Sequence, residues 1–246
     1  MKLNCDLGES FGNWPLGKDE EVMPYIDMAN IACGFHASDP DVMAKTIQLA
    51  LDHQVQIGAH PGYDDKKGFG RRSIPHSYNE IKNLVMYQIG AMEGMCKLYG
   101  GVVSYVKPHG ALYNDMMANE QVYRAIVEAI SQSNVHLPLM ILARVDNSAY
   151  QKIAQENGVD LLYEAFADRA YDEHGYLVSR QVEGSVYHEE NKIIAQVIQL
   201  VKKGSVQTLA GDEIALQADT ICVHGDNDKS IAVIARLRKE LESHLS

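Results

Sequence analysis

Two hydrophobic rhythms alternate along the chain. Short apolar runs rich in β-branched residues predict strands over about 2–6, 28–33, 55–59, 102–107, 138–143, 160–165 and 220–224. Longer segments repeat apolar residues every three to four positions and predict helices. Their punctuation is clear. Ser38 or Asp39 can cap a helix with Pro40 in its first turn, running to about His53. Ser77 and Glu80 have capping-box spacing before a helix that ends near Gly100. Further helices are predicted over 119–132 and 146–157. Ile193, Ile194, Val197, Ile198 and Val201 form one apolar stripe, and a last helix covers about 229–241.

Strands that alternate with helices require crossover connections and so predict a parallel sheet. Seven units without a clean eighth predict a distorted (β/α) barrel of about seven parallel strands, closed or nearly so. An open doubly wound sheet is the alternative. With no linker or low-complexity segment, residues 1–246 are expected to form one barrel domain. Segments 171–187 and 206–211 are expected as short β excursions on it.

The carboxyl ends of the predicted strands are unusual. NCDLGES gives Asp6 and Glu9, ACGFH gives His36, and GAHPG gives His60. VKPHG gives Lys107 and His109, the fifth end gives Arg144 and Asp146, and EAFADR gives Glu164, Asp168 and Arg169. CVHGD gives His224 and Asp226. Four of the ten histidines stand where strands stop, each close to glycine or proline. In a parallel barrel these ends share one face, which carries the active site in barrel enzymes. Polar residues also occur at any strand–loop junction, so it is the convergence of several ends that points to a site.

Two loops add candidates. GAHPGYDDKKGFGRR, residues 58–72, brings Arg71 and Arg72, either of which suits a carboxylate clamp or a pairing with Asp64 and Asp65. ESFGNWPLG, residues 9–17, holds the single tryptophan, Trp14, together with Phe11, as a lid or rim.

Charge and composition narrow the field. The formal net charge of −11 repels phosphate backbones and argues against nucleic-acid binding. No apolar leader or membrane-length run is expected, which makes cytoplasmic the default setting. The four cysteines form no CxxC pair, and three lie in strand-like runs as small buried hydrophobes. GxxxxGK[ST], GxGxxG after a strand, GxSxG and HExxH are all missing.

Taken together, NCDLGESFG, ANIACGFHASDP, GAHPGYDD with GFGRR, VKPHGALYN, EAFADRAY and CVHGD resemble the signature blocks of the lactam-utilisation (LamB/YcsF) family. The blocks run in order through nearly the whole chain. The resemblance implies a distorted barrel related to the glycoside hydrolase/deacetylase superfamily. It also implies a hydrolase subunit for ATP-dependent ring opening of 5-oxoproline to L-glutamate, working with two other subunits. ATP with Mg²⁺ would then be held by those partners. Expected catalytic residues are Asp6, Glu9, His60, His109 and Asp168, with Asp6 or Asp168 as base and the histidines moving protons. Expected substrate-binding residues are His36, Arg71, Arg72, Lys107, Arg169 and His224. Two alternatives remain open. One is a metal-dependent amide hydrolase or deacetylase, with an Asp–His–His set drawn from Asp6, His36, His60, His109 and His224. The other is a non-catalytic substrate-binding subunit. Whether the chain binds a metal is left open.

Overall fold

The chain alternates β1 (Lys2–Leu7), β2 (Met28–Ala32), β3 (Gln56–His60), β4 (Val103–Val106), β5 (Leu139–Leu142), β6 (Leu161–Phe166), β7 (Ser205–Gln207), β8 (Glu213–Ala215) and β9 (Thr220–Val223) with helices. The helices are α1 (Asp19–Val22), α2 (Pro40–Asp52), α3 (Tyr78–Leu98), α4 (Gly110–Ala118), α5 (Glu120–Ser131), α6 (Ser148–Glu156), α7 (Glu190–Lys203) and α8 (Asp228–Leu245). These assignments come from a computed structural model describing residues 1–133, 135–225 and 228–245. Asp226 lies outside the described residues.

β1 to β6 and β9 form a closed parallel barrel. Closure comes from β9, which pairs with β6 through Glu164↔Thr220 and with β1 through Asn4↔Cys222. The open-sheet alternative therefore does not hold. The barrel is irregular on one side, where β4 meets β5 through the single pair Val106↔Leu139 and β3–β4 shifts register at Ile57/Gly58. β7 and β8 pair antiparallel outside the barrel, and Tyr171 bridges to Leu177 and Thr208. The expected β excursions are thus present.

Helix starts follow the local chemistry. The Asp39 carboxylate accepts from the Asp41 and Val42 amides ahead of Pro40, and Ser77 and Glu80 form a reciprocal capping box. α4 was not anticipated. It begins at Gly110, directly after His109 and with no side-chain cap. Among the described residues, no helix is long and apolar enough to cross a membrane.

Two buried glutamines interrupt the apolar stripes of their helices. Gln88 of α3 clamps Gly62, accepting from its amide at 3.0 Å and donating to its carbonyl at 2.9 Å. The Gln196 amide of α7 lies 2.9, 3.1 and 2.9 Å from the carbonyls of Phe166, Ala167 and Arg169. These contacts satisfy buried backbone groups in the loops after β3 and β6.

Inside the barrel, Met28, Tyr105 and Met140 pack as an apolar plug. Gly58 makes room for it. A Cβ there would lie 2.2 Å from the Tyr105 ring. Gly58→Ala is therefore expected to cost about 1–3 kcal/mol through overpacking. Urea titration reads this as a lower midpoint at unchanged slope; an unshifted midpoint would mean that the ring has room to move.

Candidate active site

A buried ion cluster lies above that plug. Alternation along the strands turns Asn4 and Asp6 of β1, Asn30 of β2 and Glu164 of β6 toward the barrel axis. Lys107 Nζ lies 2.9 Å from Asp6 Oδ1 and 2.7 Å from Glu164 Oε1, and donates toward Asn4 Oδ1 at 3.3 Å. Asn30 donates to Asn4 Oδ1 at 2.8 Å and to Asp6 Oδ1 at 2.7 Å, and accepts from the Tyr105 hydroxyl at 2.7 Å. Glu164 is 0% exposed and Lys107 3%. Burial pulls the Lys107 pKa down, but Asp6, Cys222 and Glu164 outweigh it and hold the ammonium charged. Burial would likewise raise Asp6, yet His60 and Lys107 keep its carboxyl well below the usual range.

On the β3–β4 side stand three histidines. His60 Nδ1 is 2.6 Å from the Lys107 carbonyl, and its Nε2 is 3.0 Å from His109 Nδ1. His109 Nε2 donates to the Phe69 carbonyl at 2.9 Å. Burial, then the neighbouring His60, push His109 down to about 3. His36 lies flat against His109, ring centroids 3.7 Å apart, with Nε2 3.2 Å from Glu9 Oε1. Burial also drives His36 well below its ordinary value.

Glycines fit the loops around these rings. A Cβ on Gly62 would lie 2.7 Å from His36 Nδ1, and one on Gly70 would lie 2.6 Å from His36 Cβ. The His109 amide donates to the Pro61 carbonyl at 2.8 Å, and the Ala111 amide to the Gly70 carbonyl at 2.8 Å. Gly110 has φ +53, and a Cβ on it would meet the Gly70 oxygen at 2.7 Å. The abrupt KPHG ending is thus a joint. It docks the start of α4 against Pro61 and Gly70 of the 58–72 segment and fixes His109 beside them.

On the β6–β9 side, His224 Nδ1 lies 2.9 Å from Asp168 Oδ2. Burial works to raise Asp168, but His224 holds its carboxyl below the ordinary range. Both sides face one cleft of about 1410 Å³, which Arg71, Arg180 and Lys229 also line. Phe11 stacks on Trp14 with centroids 6.1 Å apart, Trp14 is 70% exposed, and neither lines the cleft.

Several expected ligand-binding residues are placed elsewhere or otherwise engaged. Arg72 is clamped by Asp65 and is not part of the cleft wall. Arg169 lines the cleft but is largely buried and donates to the Val178 carbonyl at 2.6 Å and toward that of Ser185, tying down the 171–187 strap. His36 packs behind His109 rather than on the cleft wall. Lys107 reaches the cleft but is committed to Asp6 and Glu164. Arg144 sits over the Tyr176 ring at 3.8 Å, and Asp146 accepts from the Ser148 amide at the start of α6. The strap supplies Arg180, a cation that no sequence motif singled out.

The LamB/YcsF family model matches residues 1–245. The chain belongs to the LamB/YcsF family. Members similar to it include proteins named as 5-oxoprolinase subunits. That of Pseudomonas fluorescens (strain Pf0-1) is 54% identical over 241 residues, covering 98% of this chain and 96% of the relative. That of Vibrio vulnificus (strain CMCP6) is 56% identical, covering 98% and 97%. The crystal structure of the lactam utilization protein from Thermus thermophilus superposes with a TM-score of 0.92 at 37% identity, covering 99% of this chain and 96% of that one. The LamB/YcsF barrel therefore keeps its architecture across substantial sequence divergence.

Removing one partner from a buried ion cluster leaves uncompensated charge. Lys107→Met is expected to destabilise the protein by about 3–5 kcal/mol. The double variant Lys107→Met/Glu164→Gln should regain part of that loss in chemical denaturation. A double variant no more stable than the single would mean that Glu164 is not what Lys107 neutralises.

Proposed function

We propose that this chain is one component of an ATP-hydrolysing 5-oxoprolinase whose barrel mouth opens the ring of 5-oxo-L-proline to give L-glutamate. The observation that carries this is the pairing of two proton-handling groups on one cationic cleft: Asp168–His224 on one side, and Asp6, Glu9, His60 and His109 on the other. The names and lengths of the similar family members support it. We further propose a cytoplasmic setting, supported by four buried, unpaired cysteines.

A five-membered lactam is an unactivated amide, so direct attack by water is slow. ATP coupling would phosphorylate the lactam oxygen, with Mg²⁺–ATP held by partner subunits. Water then adds to the activated carbon, the C–N bond breaks, and the nitrogen takes a proton. The acyl phosphate left behind is hydrolysed by a second water. The net change converts ATP, two waters and 5-oxoproline into ADP, phosphate and glutamate.

In this proposal Asp168 orients His224 as the base that takes a proton from water and returns it to the departing nitrogen. The His60–His109 pair lines the electrophilic pole, the part of the cleft wall that receives the developing oxyanion. Asp6 and Glu9 border those imidazoles at 3.4 and 3.5 Å. Arg71 and Arg180 suit the substrate carboxylate or a phosphoryl group.

The test mixes this chain with its partner subunits, 5-oxoproline, Mg²⁺ and ATP, and follows glutamate and ADP. Glutamate should require this chain. His224→Asn should lower kcat by about 10²–10⁴-fold, with Asp6→Ala and His109→Ala losses of similar size. Arg71→Ala should raise KM, while Arg72→Ala should leave both constants near wild type. No glutamate with all subunits folded would favour an amide hydrolase that acts without ATP. Full turnover without this chain would favour a binding or scaffold role.

A further inference from the structure

Between His60 and His109 two ring nitrogens face each other with no hydrogen to share. A carbonyl oxygen can only accept, so His60 Nδ1, 2.6 Å from the Lys107 carbonyl, carries that ring's hydrogen. By the same logic His109 Nε2, 2.9 Å from the Phe69 carbonyl, carries the other. The remaining ring nitrogens, His60 Nε2 and His109 Nδ1, then aim lone pairs at each other across 3.0 Å. Two carboxylates border the same space. Asp6 Oδ2 is 3.4 Å from His60 Nε2, and Glu9 Oε1 is 3.5 Å from His109 Nδ1. The other Asp6 oxygen is occupied by Lys107 and Asn30, which leaves Oδ2 directed at the imidazoles.

Acceptors facing acceptors at these separations match the edges of a coordination shell with bonds of about 2.0–2.2 Å. Ring orientation selects the ligands. The His60 and His109 planes are 88° apart, so one ion can lie in both. His36 is parallel to His109 within 3° at 3.7 Å, so an ion in the plane of one ring lies off the plane of the other. His36 is therefore support rather than ligand. The carbonyl contacts also match how metal-bound imidazoles are held, with the second nitrogen donating to a backbone oxygen.

We propose that His60 Nε2, His109 Nδ1 and Glu9 form a site for one divalent transition cation, with Zn²⁺ favoured by the mixed imidazole–carboxylate set and Asp6 beside it as a neighbouring negative charge. Such an ion would supply the positive charge at the electrophilic pole. Its binding is read without turnover, so this inference and the ring-opening proposal fail separately.

The experiment uses full-length protein purified without a histidine tag or chelator. Elemental analysis measures bound metal, and Co²⁺ titration followed by visible absorption, with Zn²⁺ competition, measures affinity. Expected is one equivalent of ion with Co²⁺ bands displaced by Zn²⁺. Glu9→Gln and His109→Gln should each weaken binding by roughly tenfold or more. Asp168→Asn, in the other couple, should retain it. Circular dichroism establishes that each variant is folded, and Glu9→Gln, at a partly exposed position, serves should His109→Gln fail to fold. A folded wild type that takes up no Co²⁺ or Zn²⁺ would overturn the proposal. So would Co²⁺ affinity unchanged in folded Glu9→Gln, or a ¹⁵N spectrum in added Zn²⁺ showing a proton held between the two imidazoles.

Discussion

The ammonium of Lys107, held between Asp6 and Glu164 at the centre of the barrel, is the interaction on which the mouth depends. A wholly buried glutamate is costly unless a cation neutralises it. That requirement places Lys107 on the axis, where β4 ends. The Lys107 carbonyl orients His60, while its ammonium takes one Asp6 oxygen and leaves the other for the histidines. One residue thus sets the charge of the floor, the tautomer of an imidazole and the aim of a carboxylate.

Around this floor, close backbone approach replaces long side chains. Gly62, Gly70 and Gly110 each stand where a Cβ would strike a histidine or a carbonyl. The loops after β3 and β4 therefore interlock as one layer. The layer after β6 is organised differently, with Arg169 satisfying the carbonyls of the strap that carries Arg180 to the cleft.

Much of this was legible in sequence. The seven strands emerge from apolar β-branched runs whose ends gather Asp6, His60, His109, Asp168 and His224 on one face. Burial of both faces in a parallel barrel makes such runs conspicuous. What stayed hidden was pairing. Arg71 and Arg72 are adjacent and chemically alike, yet Asp65 captures only the second, because the turn at 66–68 brings its guanidinium back. Arg169 carries the same charge as a ligand clamp but spends it on carbonyls. α4 escaped because it starts on glycine without a capping side chain, its entry being fixed by the Gly70 carbonyl instead. Tertiary partners of this kind leave no local periodicity.

Gln88 and Gln196 give the molecule a further property. Each reaches from an outer helix into the loop behind a reactive strand end and grips main-chain atoms, not side chains. The grip therefore acts on main-chain atoms and makes no contact with the reacting side chains those loops display. The outer ring works as a vice on the backbone, and the chemistry at the jaws is free to be rewritten without resetting the tool. A barrel built in this way can exchange one reacting group for another while its loops keep their height and angle above the floor.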